Sequence, residues 1–408
     1  MGVLKNIAIG ILTLSLLTFI ALFGQLPALR KTPIGWLQRA LCLHLPNGLR
    51  AIDGRATGGR ITSHSKRLGR YLFYEQNPVV LILFLTLLTG SAGLFIWNAL
   101  YQLPLRLILP IPVVLIPPYW FTYLSAAYNS HYITPANHKE RLHDYPYDHV
   151  LFRPGTVCKT CNLTKPARSK HCSLCGYCVA KCDHHCPWVA NCLGRGNYRY
   201  FLALLLTLGI LQIYGAYLSY WILRPYLDVS NAGSLMSSEY WTELGDAIVD
   251  AVNMGGLSIA GVGLLAATTA ALPLGLLAYH CYLIWAGMTT NETQKWADWR
   301  DDMSDAIVFR TTRDELLSHA STRSDGDQEV NGADGAAQKG LADDLGVTEE
   351  EPRVSWPIRS SQVIVRTNDG RPPRGQESLW TRIWCLGDVD NLYDLGGWDN
   401  LMEVMKGR

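Results

Sequence analysis

The hydrophobic residues of this chain fall into five long blocks. They are Val3–Gly24, Val79–Tyr101, Leu105–Tyr123, Tyr200–Leu223 and Gly255–Gly287. A membrane-crossing helix needs about 20 apolar residues, so each block is long enough. The third block contains Arg106 and four prolines, and its alternative is a re-entrant or interfacial segment; Pro273 predicts a kink in the fifth. The pattern predicts an α-helical integral membrane protein with about five transmembrane helices.

The charges between these blocks predict an orientation. Residues 30–70 carry nine Lys and Arg against one acid, and residues 127–199 carry ten against four. Residues 224–254 have the opposite balance, with one Arg and five acids. Basic loops stay on the cytosolic side. We therefore expect 30–70 and 127–199 in the cytosol, 224–254 in the lumen, a lumenal N-terminus and a cytosolic C-terminus.

The first block has a second interpretation, as a cleaved signal peptide. Its removal would place the basic segment 25–77 and the cysteine-rich segment in the lumen, where free thiols tend to oxidise. An uncleaved anchor avoids both consequences and is preferred.

The composition excludes several classes of protein. Charged residues make up only 17% of the chain, and the net charge is +2. A strongly basic nucleic-acid binder would have a large positive charge. Transporters place ionisable residues inside their spans, and these spans have almost none. We therefore predict no nucleic-acid partner and no transport function.

The cysteines cluster in a way that indicates zinc. Eight of the 11 cysteines lie between Cys158 and Cys192, in repeated Cys-x-x-Cys pairs with three histidines among them. Structural zinc is held by four Cys or His ligands, often in such pairs. Eleven candidate ligands are three more than two zinc sites need. A zinc module that only binds partners, such as a RING-like ubiquitin ligase, shares this pattern but does not need a spare His-x-Cys pair.

Pro187 indicates which of these groups are free to react. A residue before proline favours extended backbone, and alternate side chains of an extended segment share a side. His184 and Cys186 then face one way, while His185 faces a zinc ion. A cysteine beside a histidine is the arrangement of a thiolate nucleophile with its base. Asp183 would orient the imidazole.

These residues resemble a known family. Asp183-His184-His185-Cys186 followed by Pro187-Trp188-Val189 resembles the signature of the DHHC-type protein S-acyltransferases, or palmitoyltransferases. Further similar elements are Lys165-Pro166-x-Arg168, Asn191-Cys192-x-Gly194-x-x-Asn197-x-x-x-Phe201, Thr289-Thr290-x-Glu292, and Asn391-x-Tyr393-x-x-Gly396-x-x-x-Asn400-x-x-Glu403-Val404. The resemblance covers roughly 75–298 and 380–405.

The resemblance implies the roles of individual residues. Two structural zinc ions would take the ligand sets Cys158, Cys161, His171, Cys178 and Cys172, Cys175, His185, Cys192. Cys186 would be the nucleophile, His184 the base and Asp183 its orienter. Cys182 is then spare, and we interpret it as a packing residue rather than a redox group.

The resemblance also implies the reaction. A long-chain acyl group, palmitoyl, would pass from acyl-CoA to Cys186 and then to cysteine thiols of membrane-associated proteins. The extra N-terminal span, the basic loop and the acidic linker are similar to the fungal branch known for spore-wall formation. That branch implies an endoplasmic reticulum enzyme acting on juxtamembrane cysteines, such as those of SNARE proteins. Thr134-Pro135-Ala136 departs from the family's Asp-Pro-Gly element.

Four residues are assigned supporting roles. The CoA phosphates should meet basic side chains, of which Lys165 and Arg168 are the candidates; Lys170 has general positive-inside charge as an equal explanation. Asn400 is grouped with this cofactor-binding set, although it could also cap a helix or anchor the C-terminal module. Thr290 could support the active site by a hydrogen bond to Asp183, or be an ordinary helix cap.

The organisation of the chain follows. Ser318–Glu351 almost lacks large apolar residues, which predicts a disordered linker, and the apolar stretch Leu379–Met405 predicts a module that packs on the body or on the bilayer. The predicted parts are 1–25 N-terminal anchor, 26–77 basic cytosolic loop, 78–127 second and third spans, 128–199 cytosolic Cys-rich zinc domain, 200–224 fourth span, 225–254 lumenal loop, 255–287 fifth span, 288–317 cytosolic Thr-Thr-x-Glu region, 318–351 linker and 352–408 C-terminal cytosolic module.

Overall fold

The computed structural model describes residues 17, 20, 31–227, 237–326, 345–348 and 350–407. The chain forms two compact units, Met1–Gln76 and Asn77–Arg408. The predicted first span, Val3–Gly24, lies outside the described residues except for Leu17 and Ile20. Its existence therefore stays a prediction.

The described part of the first unit is helical. Helix α1 is Pro33–Arg39, followed by a π-helical turn at Ala40–His44; α2 is Leu45–Ala56 and α3 is Arg60–Tyr74. The buried Asp53 carboxylate joins α2 to α3, because it accepts hydrogen bonds from the Ile61 and Thr62 amides at the start of α3, at 3.3 and 2.7 Å. The segment predicted as a basic loop is thus a set of helices.

The described part of the second unit contains four helical segments that are long and apolar enough to cross a membrane: Val79–Gln102, Leu105–Ala127, Tyr198–Tyr226 and Leu257–Trp285. Their helices are α4 Val79–Ala99, α5 Leu105–Ile108, α6 Ile111–Ala127, α8 Tyr198–Leu223, α10 Leu257–Thr269 and α11 Ala271–Trp285, and α7 is a short turn at His138–Arg141. These segments match the second to fifth predicted spans.

The prolines of the third and fifth blocks affect the helices that contain them. The last span breaks between α10 and α11 at Ala270, three residues before Pro273, whose ring cannot coexist with a straight preceding turn. In the third block, Pro110 and Pro112 stand at the start of α6, where no amide donor is needed. Pro117 and Pro118 lie inside that helix, and the Thr122 hydroxyl donates to the Pro118 carbonyl at 2.6 Å.

Helix α8 is the centre of the bundle and packs against α6, α10 and α11. Close approach depends on small residues, because a Cβ at Gly263 would collide with the Ser219 side chain, and one at Gly209 with Leu274. The segment after α8 was predicted as a loop, but most of its described part is helix α9, Ser238–Gly255.

The Cys-rich domain is built from short strands between α6 and α8. They are β1 Tyr132–Ile133, β2 Lys170–Cys172, β3 Tyr177–Val179, β4 His184–Cys186 and β5 Asn191–Leu193. The order is β1-β3-β2 in one antiparallel sheet and β4-β5 in a second. Since spans alternate in direction, this domain and the chain after α11 lie on the same side of the bundle.

The region after α11 differs from the predicted division into linker and module. It contains α12 Thr290–Ser304, β6 Val308–Thr312, α13 Arg313–Gly326, β7 Gln362–Arg366, β8 Thr381–Arg382 and α14 Gly397–Met405. Strand β6 pairs with both β7 and β8, so the module begins before residue 318.

The linker predicted over 318–351 is too long. Helix α13 continues to Gly326, and Leu345 and Val347 are buried against Phe309, Val363 and Trp380. Residues 327–344 and 349 lie outside the described residues, so the disorder predicted there is untested.

Candidate active site and metal centres

The two predicted ligand quartets are brought together by the strands. His171 lies directly opposite Cys178 across the β2–β3 pair, and His185 lies opposite Cys192 across β4–β5. The Cys-x-x-Cys turns supply the remaining ligands. In each quartet, one donor atom from every residue lies within 4.8 Å of the others; the quartets are Cys158, Cys161, His171, Cys178 and Cys172, Cys175, His185, Cys192.

The distances within the quartets fit zinc. In the first quartet, His171 Nδ1 lies 3.3 Å from Cys161 Sγ and 3.9 Å from Cys178 Sγ. In the second, His185 Nδ1 lies 3.3 to 3.8 Å from its three sulfurs. Zinc bonds of about 2.0–2.3 Å in a tetrahedron place neighbouring ligand atoms about 3.3–3.8 Å apart. Both quartets are therefore of the size and chemistry that holds a zinc ion.

Cys186 belongs to neither quartet. In strand β4 the side chains alternate, so that His185 joins the second quartet while the His184 and Cys186 side chains hydrogen-bond to each other. This is the alternation that Pro187 predicts. Cys186 is buried, with only 3% of the residue exposed.

Asp183 holds His184 from the other side. Its Oδ2 lies 2.5 Å from His184 Nδ1, and the Thr290 amide and hydroxyl donate to the two carboxylate oxygens at 2.7 and 3.0 Å. The predicted contact between Thr290 and Asp183 is confirmed. It places the N-terminus of α12, with its favourable dipole, against the carboxylate.

The charges of this triad support each other. Burial alone would lower the pKa of His184, but its contacts with Asp183 and Cys186 raise that pKa to about 9. Burial would raise the pKa of Asp183, but the hydrogen bonds to His184 and Thr290 keep it below its usual value. At neutral pH the arrangement favours a carboxylate at Asp183 beside an imidazolium at His184.

Arg168 is not available to bind CoA, which corrects the prediction for this residue. It is 2% exposed, and its Nε and Nη2 each donate to Glu292 at 2.7 Å. Its guanidinium also lies over the Tyr393 ring, 4.5 Å from the centroid. The residue instead ties the Cys-rich domain to α12.

Asn400 also has a structural position, so its assignment to the cofactor-binding set is wrong. It is 2% exposed; its Nδ2 donates to the Trp285 carbonyl and to Asp394, and its Oδ1 accepts from the Leu395 amide. These bonds anchor α14 to the end of α11, as the alternative interpretation of Asn400 held.

Lys165 and Lys170 line an open cavity of about 340 Å³ beside α12. Lys295 lies in the same wall, with its Nζ 3.8 Å from the Phe152 ring centroid. Asn291 is 2% exposed, and its Nδ2 has no hydrogen-bond partner. With Arg153, the cavity wall carries four cations against one acid, Asp298, together with an amide donor that has no partner.

Cys182, the spare cysteine, is buried against Cys175, Val179 and Cys192. Burial raises the pKa of its thiol to about 12. It stays protonated at neutral pH, as suits a packing residue.

Sequence reasoning missed two residues around the site, His280 and Tyr198, and it placed a third, Glu403, in a motif without giving it a role. Glu403 of α14 accepts from Tyr145 at 2.6 Å and pairs with Lys181 at 2.9 Å, under the Cys-rich domain. His280 of α11 stacks against His184, and Tyr198 of α8 bonds to His280. One signal was visible for His280, because an ionisable residue inside a span usually has a function.

Fold and site together define a membrane protein in which Cys186, His184 and Asp183 form a cluster beside two zinc-type quartets. Residues 152–297 match the family model described as DHHC palmitoyltransferase. Palmitoyltransferase SWF1 of Neurospora crassa is 39% identical to this chain over 424 residues, which cover 99% of this chain and 92% of that protein.

Two further relatives agree. Palmitoyltransferase swf1 of Emericella nidulans is 41% identical over 413 residues, covering 99% of this chain and 97% of that protein. Palmitoyltransferase ZDHHC4 of Mus musculus is 34% identical over 241 residues, covering 56% of this chain and 69% of its own length. The chain belongs to the DHHC palmitoyltransferase family and is a protein S-acyltransferase, similar to the spore-wall-formation branch.

Proposed function

We propose that Cys186 carries the acyl group and that His184, oriented by Asp183, moves the protons. The observation that supports this most is that Cys186 lies outside both quartets while bonded to a histidine that Asp183 anchors. A ligand cysteine could not act as the nucleophile without giving up its zinc.

The first step forms the acyl-enzyme. The Cys186 thiolate attacks the acyl carbonyl of acyl-CoA and forms a thioester. The CoA thiolate leaves and takes the proton that His184 received from Cys186. Cys186, Val189 and Leu193 are buried with Phe201 and Leu205 of α8, so the thioester forms beside apolar helix surface suited to a fatty chain.

The second step transfers the group. A substrate cysteine thiol gives its proton to His184, and its sulfur attacks the thioester carbonyl. The Cys186 thiolate leaves, and the enzyme returns to its starting state. Because Cys186 lies near the start of α8, where the span begins, substrates would be membrane proteins with cysteines close to the bilayer.

The zinc ions would hold this geometry. Cys158, Cys161, His171 and Cys178 would bind one ion, and Cys172, Cys175, His185 and Cys192 the other. When bound, zinc supplies rigid cross-links between strands that are only two or three residues long. This chain's own residues perform the transfer.

The reaction itself is tested by labelling. Purified enzyme is incubated with radiolabelled palmitoyl-CoA, and the protein is separated by denaturing gel with and without neutral hydroxylamine. We expect label on the native protein that hydroxylamine removes, because thioesters are cleaved and oxygen esters are not. Absence of label from a preparation with two zinc ions would contradict the proposal.

We propose further that the cavity lined by Lys165, Lys170 and Lys295 receives the CoA phosphates. Opposite charge supports this, together with the unpaired Asn291 amide in the same wall. The cavity borders α12, whose first residue Thr290 contacts Asp183, so a ligand there lies near the triad.

Removing a cavity lysine should weaken acyl-CoA binding without slowing the chemistry. We expect Lys165→Ala and Lys170→Ala each to raise KM for palmitoyl-CoA by about fivefold to tenfold, corresponding to about 1 kcal/mol for one partly exposed phosphate contact. Self-acylation kinetics measure this change. Lys139→Ala, an exposed lysine of the same domain outside the cavity, is the control. Equal KM values in all three variants would contradict the binding of CoA in this cavity.

The orientation is also proposed. The Cys-rich domain and the C-terminal module would be cytosolic, 224–254 lumenal, and the N-terminus lumenal if Val3–Gly24 spans. The resemblance to the spore-wall-formation branch supports residence in the endoplasmic reticulum and SNARE-type substrates.

Glycosylation reports the orientation. Asn-x-Thr acceptors are inserted singly after residue 58, within 228–236 and after residue 370. We expect glycosylation only of the 228–236 acceptor, because only that loop faces the lumen. Mobility shifts reversed by endoglycosidase measure it. A glycosylated acceptor after residue 58 would contradict the five-span topology and support a cleaved leader.

A further inference from the structure

His280 is an ionisable side chain buried inside the last candidate span. Its residue is 1% exposed, and it lies five residues before the end of α11 at Trp285. Polar groups at such positions are expensive to bury and are usually retained for a function. The family resemblance and the triad chemistry leave this residue without a role.

The contacts of His280 connect it to the triad. Its ring is nearly parallel to that of His184, with centroids 5.7 Å apart and planes at 16°. Its Nδ1 forms a 2.8 Å hydrogen bond with the hydroxyl of Tyr198, the first residue of α8. Phe201, one turn further along α8, presents an edge to both imidazoles, at 5.8 Å from His184 and 5.4 Å from His280.

His184 needs such support. The bond from Asp183 to Nδ1 fixes one atom of the ring but not the tilt of its plane, and the side chain is 30% exposed. The ring leaves its other nitrogen for Cys186, so a small tilt changes the distance over which the proton moves. A face-to-face partner fixes the plane only if that partner is itself fixed, and the Tyr198 hydroxyl fixes His280.

We propose that His280, held by Tyr198, is a positioning residue that orients the His184 imidazole towards Cys186. This inference rests on the proposed roles of Cys186 and His184. It predicts that the hydroxyl of Tyr198 influences a reaction in which it takes no direct part.

Three substitutions separate the elements of this support. Tyr198→Phe removes one oxygen and keeps the packing. His280→Phe keeps a planar ring but cannot bond to Tyr198, and His280→Ala removes the ring. Tyr282→Phe is the matched control, since it removes a hydroxyl from an exposed position of the same helix.

Each variant is measured in three ways on the full-length protein. Self-acylation with palmitoyl-CoA gives kcat and KM. Iodoacetamide labelling gives the reactivity of Cys186, after subtraction of the labelling of Cys186→Ser. Metal analysis gives the zinc content.

We expect Tyr198→Phe and His280→Phe to lower kcat by about tenfold and His280→Ala by about a hundredfold, as for displacements of about 1 Å in a reacting group. Cys186 labelling should slow in parallel, KM for palmitoyl-CoA should stay within about twofold of native, and zinc should stay at two. If His280→Ala does not fold, Tyr198→Phe alone still decides the matter.

Three results would overturn the inference. Native kcat in all three variants would mean that His184 needs no support. A raised KM with native kcat would make His280 part of an acyl-chain wall. Three zinc ions in the native protein and two in His280→Ala would make it a metal ligand, since donor atoms of Asp183, His184 and His280 lie within 4.8 Å of one another. Label retained by Cys186→Ser would instead refute the proposed nucleophile.

Discussion

Replacing Cys186 by Ser should abolish the hydroxylamine-sensitive label while leaving two zinc ions bound. Replacing His185 by Ala should instead lower the zinc content. Ser keeps nearly the volume of Cys and touches no quartet, so the fold survives. Its hydroxyl is a much poorer nucleophile than a thiolate. His185→Ala removes one of four ligands from the second quartet, so zinc content should fall from two to one, with loss of folded yield.

Metal analysis and gel labelling of the same preparations measure both effects. His184→Ala should retain both zinc ions, label slowly, and transfer the acyl group to a substrate thiol more slowly still, because that thiol must also be deprotonated. Cys385→Ser, at an exposed thiol of the C-terminal module, should behave as native. Loss of zinc from Cys186→Ser, with full zinc in His185→Ala, would show that Cys186 is a zinc ligand and that His185 is not.

Breaking the ion pair between Arg168 and Glu292 should destabilise the enzyme severely. Both side chains are at most 2% exposed, and the two bonds between them measure 2.7 Å. Removing one partner leaves a buried charge without compensation, which costs about 3–5 kcal/mol of the free energy of unfolding. We expect this for Arg168→Met and for Glu292→Gln, and a smaller loss for the double variant, in which neither charge remains.

Chemical or thermal unfolding in detergent measures these losses. Arg300→Met, which removes an exposed pair with Asp301, is the control and should unfold as native does. Any folded Arg168→Met protein should keep a native KM for palmitoyl-CoA, in contrast to Lys165→Ala. A stable Arg168→Met protein with raised KM would restore the role in CoA binding that the sequence suggested for Arg168.

Arg168 illustrates why part of the site was not predictable. A basic residue near Lys165 in a basic domain predicts a phosphate contact, and no local signal reveals burial. Its partner Glu292 lies 124 residues away along the chain. The two residues meet only in the folded protein, where the chain after α11 places α12 against the Cys-rich domain.

The alternation of His184, His185 and Cys186 was predictable because its information is local, whereas the division of the ligands into two quartets came from the family resemblance, since Cys175-x-x-Cys178 is split between them. Cys-x-x-Cys spacing supplies half of each ligand set, and Pro187 imposes the alternation that separates His185 from Cys186. The linker shows the opposite case. Leu345 and Val347 are isolated apolar residues among Ala, Asp and Gly, so composition concealed their packing against β6 and β7.

The contact between Glu403 and Tyr145 has a consequence for biosynthesis. These residues are 258 positions apart, and Glu403 also holds Lys181, two residues before Asp183. Synthesis therefore completes Cys186 long before it supplies α12, which contacts Asp183, and α14, which contacts the Cys-rich domain. Under the roles proposed above, the nascent chain then has its nucleophile without the residues that hold Asp183 and His184, and we expect acyl transfer to start only after α14 has packed against the domain.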